Sequence, residues 1–132
     1  MKSDIENRIV SGVQVAVVPG RAEDPLWDVY LLNTNSHAIQ SVLVSVRGYG
    51  TRNEQAVETS ALRHFYDEVA GNAPLKVEPL QCELFDLNHE YWVSYEHDGY
   101  RFDKKFVFVP GSLTEDNFST VPILNCKGIL HA

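Results

Sequence analysis

The sequence predicts a mainly β chain folded as an antiparallel β-sandwich, immunoglobulin-like in shape, with one or two short helices. Three observations carry this reading. Apolar and polar residues alternate over several short runs, clusters of Gly, Pro, Asn and Asp separate those runs, and Glu90–Val109 reads as a β-hairpin with a definable register. With 132 residues, 44% hydrophobic and 22% charged, the composition is that of a globular chain, which argues against wholesale disorder. The length suits a single domain, residues 1–132, with a two-layer core.

The elements follow in order. Ile9–Val18 places Val13, Val15 and Val17 on one face and Gln14 on the other, and Pro19-Gly20 ends this first strand. Arg21–Pro25 is a polar loop. Trp27–Leu32 is the second strand, with Trp27, Val29 and Leu31 on one face, and Asn33-Thr34-Asn35-Ser36 is a turn cluster. In the third strand, Ile39–Arg47, Val42, Val44 and Val46 face inward while Ser41, Ser45 and Arg47 face the other way; Gly48-Tyr49-Gly50 closes it. Residues 54–71 admit two readings. Val57, Ala61, Leu62, Phe65 and Val69 fit helical spacing with Gly71 as a cap, and a strand over Glu58–Phe65 fits the run of short strands, toward which the balance leans. Pro79 is expected at or before the start of a strand Leu80–Leu87, with Leu80, Cys82 and Leu84 on one face, and Asn88-His89 turns the chain into the hairpin. After Pro110-Gly111, the capping-box spacing of Ser112 and Glu115 predicts a short helix through Phe118, and Ile123–Leu130 packs as a final element.

The hairpin is the most informative segment. Asp98-Gly99 suits a two-residue type I′ turn, whose central residues both need φ > 0. His97 then faces Tyr100, Glu96 faces Arg101, Tyr95 faces Phe102, Ser94 faces Asp103, Trp92 faces Lys105 and Tyr91 faces Phe106. Alternation puts Tyr91, Val93, Tyr95, Tyr100, Phe102, Phe106 and Phe108 on one face, with Lys104 the exception there. Trp92, Ser94, Glu96, Arg101, Asp103, Lys105 and Val107 lie on the other. A one-residue slip would mix the sets, so the register is strongly specified. Each opposed aromatic or ion pair contributes roughly 0.2–1 kcal/mol, whereas burying each large apolar side chain contributes about 1.5–3 kcal/mol. The aromatic face must therefore cover a second layer.

Charge and cysteine usage narrow the function classes. The net charge of −7 argues against a surface that holds nucleic acid by neutralising phosphates, and only Lys104-Lys105 are adjacent basic residues. The N-terminal stretch Met1–Arg8 is followed by no apolar core of signal length, and no run is long enough to span a membrane. Cys82 and Cys126 make no disulfide framework and do not frame a core tryptophan as the cysteines of antibody domains do. Together these predict a reducing, cytoplasmic setting.

Motifs for catalysis or cofactor binding are sparse. Gly48-Tyr49-Gly50-Thr51 resembles part of a phosphate loop but lacks the following Gly-Lys-Ser/Thr and a helix start, and reads better as a turn. His89 and His97 are eight residues apart on one strand, roughly 26 Å at about 3.3 Å per residue, too far to share a metal. No metal ligand set, cofactor motif or catalytic residue is assigned. His64, Asp67 and Glu68 are candidates for a base with carboxylate partners beside a small-ligand or enzymatic pocket; the alternative is a solvated face next to Leu62 and Phe65. Trp92, Arg101 and Lys105 are the candidate binding residues, since a large aromatic on the polar face of a hairpin marks a contact surface. The competing reading buries Trp92 under a loop or under the Ser112–Phe118 helix.

The strings Trp27–Asn33, Val42–Gly50 and Glu90–Pro110 resemble a family of small, uncharacterised bacterial proteins, some of whose members are labelled as phenylalanyl-tRNA synthetase subunits. The resemblance covers most of the chain. It implies no residue-level role, and the Phe-Arg-x-Glu and Glu-Arg motifs with which class II synthetases hold ATP do not occur here. The function expected is a non-catalytic interaction domain acting through a protein–protein or self-association surface. A small-ligand or enzymatic pocket near His64 is the alternative, and an accessory role in tRNA or nucleic-acid metabolism is third.

Overall fold

The computed structural model describes residues 9–21 and 24–132. The expectation of no leader in residues 1–8, and the middle of the loop Arg21–Pro25, lie outside them. Of the described residues, 63% are in strands and 5% are helical, which makes the fold mainly β, and two antiparallel sheets pack face to face as a β-sandwich.

The strands are β1 (Val13–Val18), β2 (Leu26–Asn33), β3 (Ile39–Arg52), β4 (Gln55–Glu58), β5 (Leu62–Val69), β6 (Ala73–Gln81), β7 (Asn88–His97), β8 (Tyr100–Phe108), β9 (Ser119–Val121) and β10 (Cys126–His131). One sheet runs β6-β2-β1-β10-β9. The other runs β4-β3-β7-β8, with β5 also pairing β3 on the side where β4 pairs its far end. The core between the sheets is built from Val13, Val15 and Val17 of β1, Val29 and Leu31 of β2, Val42 and Val44 of β3, and Tyr91, Val93, Tyr95, Phe106 and Phe108 of the hairpin.

The hairpin has the register expected, from His97 opposite Tyr100 to Tyr91 opposite Phe106. Asp98 (φ 55°) and Gly99 (φ 82°) both adopt the left-handed conformation that a type I′ turn requires. Tyr100, at the tip, is exposed, and Lys104 escapes the apolar face by carrying its ammonium to the carbonyl of Ala132, 2.8 Å away.

Several boundaries differ from expectation, each for a local reason. Residues 54–71 form no helix; they form β4 and β5, and Asn53 (φ 50°) with Glu54 (φ 65°) makes a second tight turn between β3 and β4. Gly48-Tyr49-Gly50 does not close β3. It lies within the strand, where the missing side chains let Thr59 and His89 approach Gly48 and Leu87 approach Gly50. The strand expected over Leu80–Leu87 is displaced to Ala73–Gln81, and Cys82–Leu84 is a single 3₁₀ turn, so Cys82 shares no strand face with Leu80 and Leu84. Pro79 is tolerated inside β6 because that strand is a sheet edge, where one row of N–H groups has no ladder partner. Asn88 and His89 are the start of β7 and not a turn. The helix expected over Ser112–Phe118 shrinks to one 3₁₀ turn, Glu115–Asn117, because no cap forms: the Ser112 hydroxyl donates instead to the Val109 carbonyl at 2.7 Å. The first strand starts at Val13 rather than Ile9, after Gly12 (φ 78°).

Asn33 ties the two sheets together at one end. It is fully buried at the end of β2, and its amide donates to the carbonyls of His37 (2.9 Å) and Ala70 (3.0 Å), the latter just past β5 of the other sheet. Its side-chain oxygen accepts from the backbone and side-chain N–H groups of Asn35 at 3.2 and 3.1 Å. A turn cluster in sequence is thus a satisfied buried polar node. Asn33→Ala is expected to lower stability by roughly 2–4 kcal/mol, since buried carbonyls lose their donor. Denaturant unfolding measures this, and a loss below about 0.5 kcal/mol, the ordinary surface range, would show that Asn33 does not hold the sheets together.

Candidate functional site

Strand alternation decides which side chains are available for binding. Because Tyr91, Val93 and Tyr95 of β7 and Phe106 and Phe108 of β8 point into the core, Glu90, Trp92 and Ser94 of β7 and Arg101, Asp103 and Lys105 of β8 stand on the outer face. The neighbouring strands extend that face by register. Ser45 and Arg47 of β3 lie opposite Trp92 and Glu90, and Arg63 and Phe65 of β5 lie opposite Ser45 and Leu43.

The two sheets differ in how their outer faces are covered. On the β1-β2 sheet, Ala16, Leu32 and Val121 form a second small core, with Leu130 of β10 beside Ala16 in the sheet and Ile123 and Leu124 of the β9-β10 connection packed against it. No described element lies over the outer face of the β3-β7-β8 sheet. Trp92 there is 42% exposed, and the segment expected to cover it packs elsewhere, with Phe118 against Trp27 (5.9 Å between rings) and Leu113 in the main core.

The open face is furrowed by a groove of about 530 Å³. The short side chains Ser45 and Ser94, with Leu43, floor it; Trp92, Asp103 and Lys105 rise on one side and Ala61 and Arg63 on the other. Part of its charge is neutralised from within. Arg47 donates through Nε to Glu90 (3.2 Å) and through Nη1 to Glu58 (3.1 Å), and its guanidinium lies 4.7 Å from the centre of the Tyr49 ring. The hydrogen bond and charge of Glu90 raise the Arg47 pKa further, so the partner of this buried carboxylate stays cationic. The Trp92 indole N–H donates to Asp103, and the Lys105 ammonium sits 4.9 Å from the Trp92 ring centre, in cation–π range.

Of the three candidate residues, Trp92 and Lys105 line the groove and Arg101 does not. Arg101 lies further along β8, spending its donors on Glu96 (3.1 Å) and Ser94 Oγ (2.5 Å). His64, Asp67 and Glu68 are not brought together. Asp67 falls on the opposite side of β5 from His64, Glu68 accepts from Gln40 at 3.4 Å, and His64 pairs through Nε2 with Glu78 of β6 at 2.6 Å. None of the three lines the groove or the smaller cavity of about 240 Å³ between Glu78, His89 and Tyr91.

Arg47, Glu90, Arg63 and Ser45 escaped the sequence reading as site residues. Their assembly depends on the β3-β7 and β3-β5 registers, which no turn motif reports; the outward assignment of Ser45 and Arg47 was the available signal. A stacked pair, His37 over His97 (ring centres 3.6 Å, 9° between planes), escaped for the same reason.

Among the described residues no group of three or more His, Cys, Asp or Glu side chains is arranged to hold a metal ion, and no helix is long and apolar enough to cross a membrane. Neither cysteine is paired, and burial raises the Cys82 thiol pKa, aided by the charge of Asp24, the opposite of an activated nucleophile. Burial likewise pushes the Tyr95 hydroxyl up to about 12. No family model, curated protein or solved structure matches the chain.

His89 supplies a pH response. It is buried, its Nε2 donates to the Leu84 carbonyl at 2.6 Å, and burial lowers its pKa below the ordinary 6.5. The folded state therefore resists a proton that the unfolded chain accepts. This contribution to stability is complete above pH 6.5 and is lost as pH falls from there through the folded pKa. His89→Gln, which keeps an amide donor, is expected to flatten the decline in unfolding free energy between about pH 6.5 and 5. Identical slopes for the two proteins would show that His89 does not titrate in this way.

Proposed function

We propose that this chain is a non-catalytic cytoplasmic interaction domain, a sandwich immunoglobulin-like in shape, which takes an extended segment of a protein partner in the groove beside Trp92. The observation that carries the reading is the contrast between the two outer faces: one is packed by the β9-β10 connection, the other leaves a tryptophan 42% exposed over a groove. Tryptophan dominates binding energy at protein interfaces more often than its abundance predicts. The groove suits a partner that sets an apolar side chain beside the indole and a carboxylate near Lys105. The bonds of Arg47 to Glu90 and of Trp92 to Asp103 keep Arg47, Glu90 and Asp103 satisfied as water leaves. Arg101 belongs to the rim of this surface.

The competing readings have less support. A pocket at His64, Asp67 and Glu68 lacks convergence of the three side chains, and a role with tRNA or other nucleic acid meets a net charge of −7. The resemblance to the small bacterial family carries no residue into the groove.

A displayed library of random peptides, selected on the purified domain, tests the reading. Selected peptides should bind the Trp92→Ala variant roughly 30-fold or more weakly, the effect of losing an interface anchor of about 2 kcal/mol. Lys105→Ala should cost less, roughly threefold to tenfold, and most for peptides bearing Asp or Glu. Peptides that bind wild type and Trp92→Ala equally would place recognition elsewhere.

A further inference from the structure

We propose that β5 is a homodimer interface, in which two copies join edge to edge about a two-fold axis through Phe65. This goes beyond the groove, since it concerns a sheet edge and a second copy of the same chain.

An unpaired strand edge invites pairing unless something blocks it. Among the described residues the other edges are blocked or short. β6 contains Pro74 and Pro79, β8 carries Lys104 and Lys105, and β9 and β4 span only 3 and 4 residues. β5 has 8 residues with no Pro, Gly or Lys, and pairs only β3. It also exposes Leu62 (46%) and Phe65 (61%), while His64 is anchored inward to Glu78. Arg63 and Asp67, exposed on either side of Phe65, make no ion pair or hydrogen bond among the described residues.

The sequence of β5 is self-complementary in one register. Antiparallel copies related by an axis normal to the sheet set residues of the same face opposite one another. With the axis at Phe65, the two Phe65 rings meet, and each Arg63 stands opposite the partner's Asp67 on the outer face. His64 falls opposite the partner's Tyr66 on the inner side. Moving the axis to Tyr66 sets Arg63 against Val69, and moving it to His64 sets Arg63 against Phe65, so both ion pairs are lost. The Phe65 register alone satisfies both unpaired charges and covers the exposed ring. It fuses the two five-stranded sheets into one continuous sheet and leaves both grooves open on the same side.

Sedimentation equilibrium across a concentration series tests this. Wild type should approach twice the chain mass of 14.9 kDa. Arg63→Asp and Asp67→Arg each replace two attractive pairs with two repulsive ones and should raise the dimer dissociation constant roughly tenfold or more. The double variant swaps the charges and should return the constant to within about threefold of wild type, a recovery that a merely damaged fold would not show. Trp92→Ala should leave the dimer intact, which separates failure here from failure of the groove. A wild-type chain that stays monomeric at high micromolar concentration, single variants that dimerise normally, or a double variant that does not recover would each overturn the proposal.

Discussion

The outer face of the β3-β7-β8 sheet is determined by what its inner face must bury. Five large side chains, Tyr91, Val93, Tyr95, Phe106 and Phe108, enter the core from the hairpin alone. At about 1.5–3 kcal/mol each, their burial outweighs any cross-strand pair on the polar side by severalfold. A period of two then leaves Trp92, Asp103 and Lys105 no alternative to the outer surface. Their placement is a consequence of core formation, and a groove partner meets a surface held rigid by the sheet beneath it.

The polar side of the sheet must remain stable while uncovered. It does so by internal satisfaction: Arg47 bridges Glu90 and Glu58, Arg101 bridges Glu96 and Ser94, and Asp103 accepts the Trp92 N–H. The exposed pairs among these, such as Arg101 with Glu96, contribute little to folding free energy. Their effect is on geometry, because each bond spans adjacent strands or adjacent rungs and fixes a rotamer that would otherwise sample several wells.

How much of this is legible in the sequence depends on distance along the chain. The hairpin register is readable because a two-residue turn transmits it directly from Asp98-Gly99 to both strands. The β3-β7 pairing spans more than forty residues between Arg47 and Glu90, and no local chemistry specifies it. The groove was therefore visible only as one half, Trp92 and Lys105, without its floor. The same limit explains the glycines at 48 and 50, which read locally as a turn. Their role is to let Leu87, Thr59 and His89 approach a continuous strand, and those neighbours come from elsewhere in the chain. The Leu80–Leu87 strand failed for a different reason. Alternation of Leu80, Cys82 and Leu84 fits a strand, but over three residues the 3₁₀ turn also leaves Cys82 and Leu84 half-buried and Glu83 exposed, so a pattern this short does not separate the two.

The asymmetry of the sandwich gives the two open features a common origin. The β9-β10 connection packs Ile123 and Leu124 against the outer side of the β1-β2 sheet, where Ala16, Leu32 and Leu130 lie. None of the described chain is left to roof the other sheet or to pair the free edge of β5. A sheet with one solvated face is ordinary for antiparallel structure, provided that face is polar. Here it is mostly polar, with Trp92 and Leu43 apolar over the groove and Phe65 near them at the edge. Those three residues fall on adjacent strands, where a purely solvated face would carry small or charged side chains. Protein surfaces tolerate single exposed apolar residues without consequence, but residues brought side by side by strand register make a patch. The same register that joins Phe65 to Leu43, and Ser45 to Trp92, thus concentrates the apolar surface at one edge and over one groove.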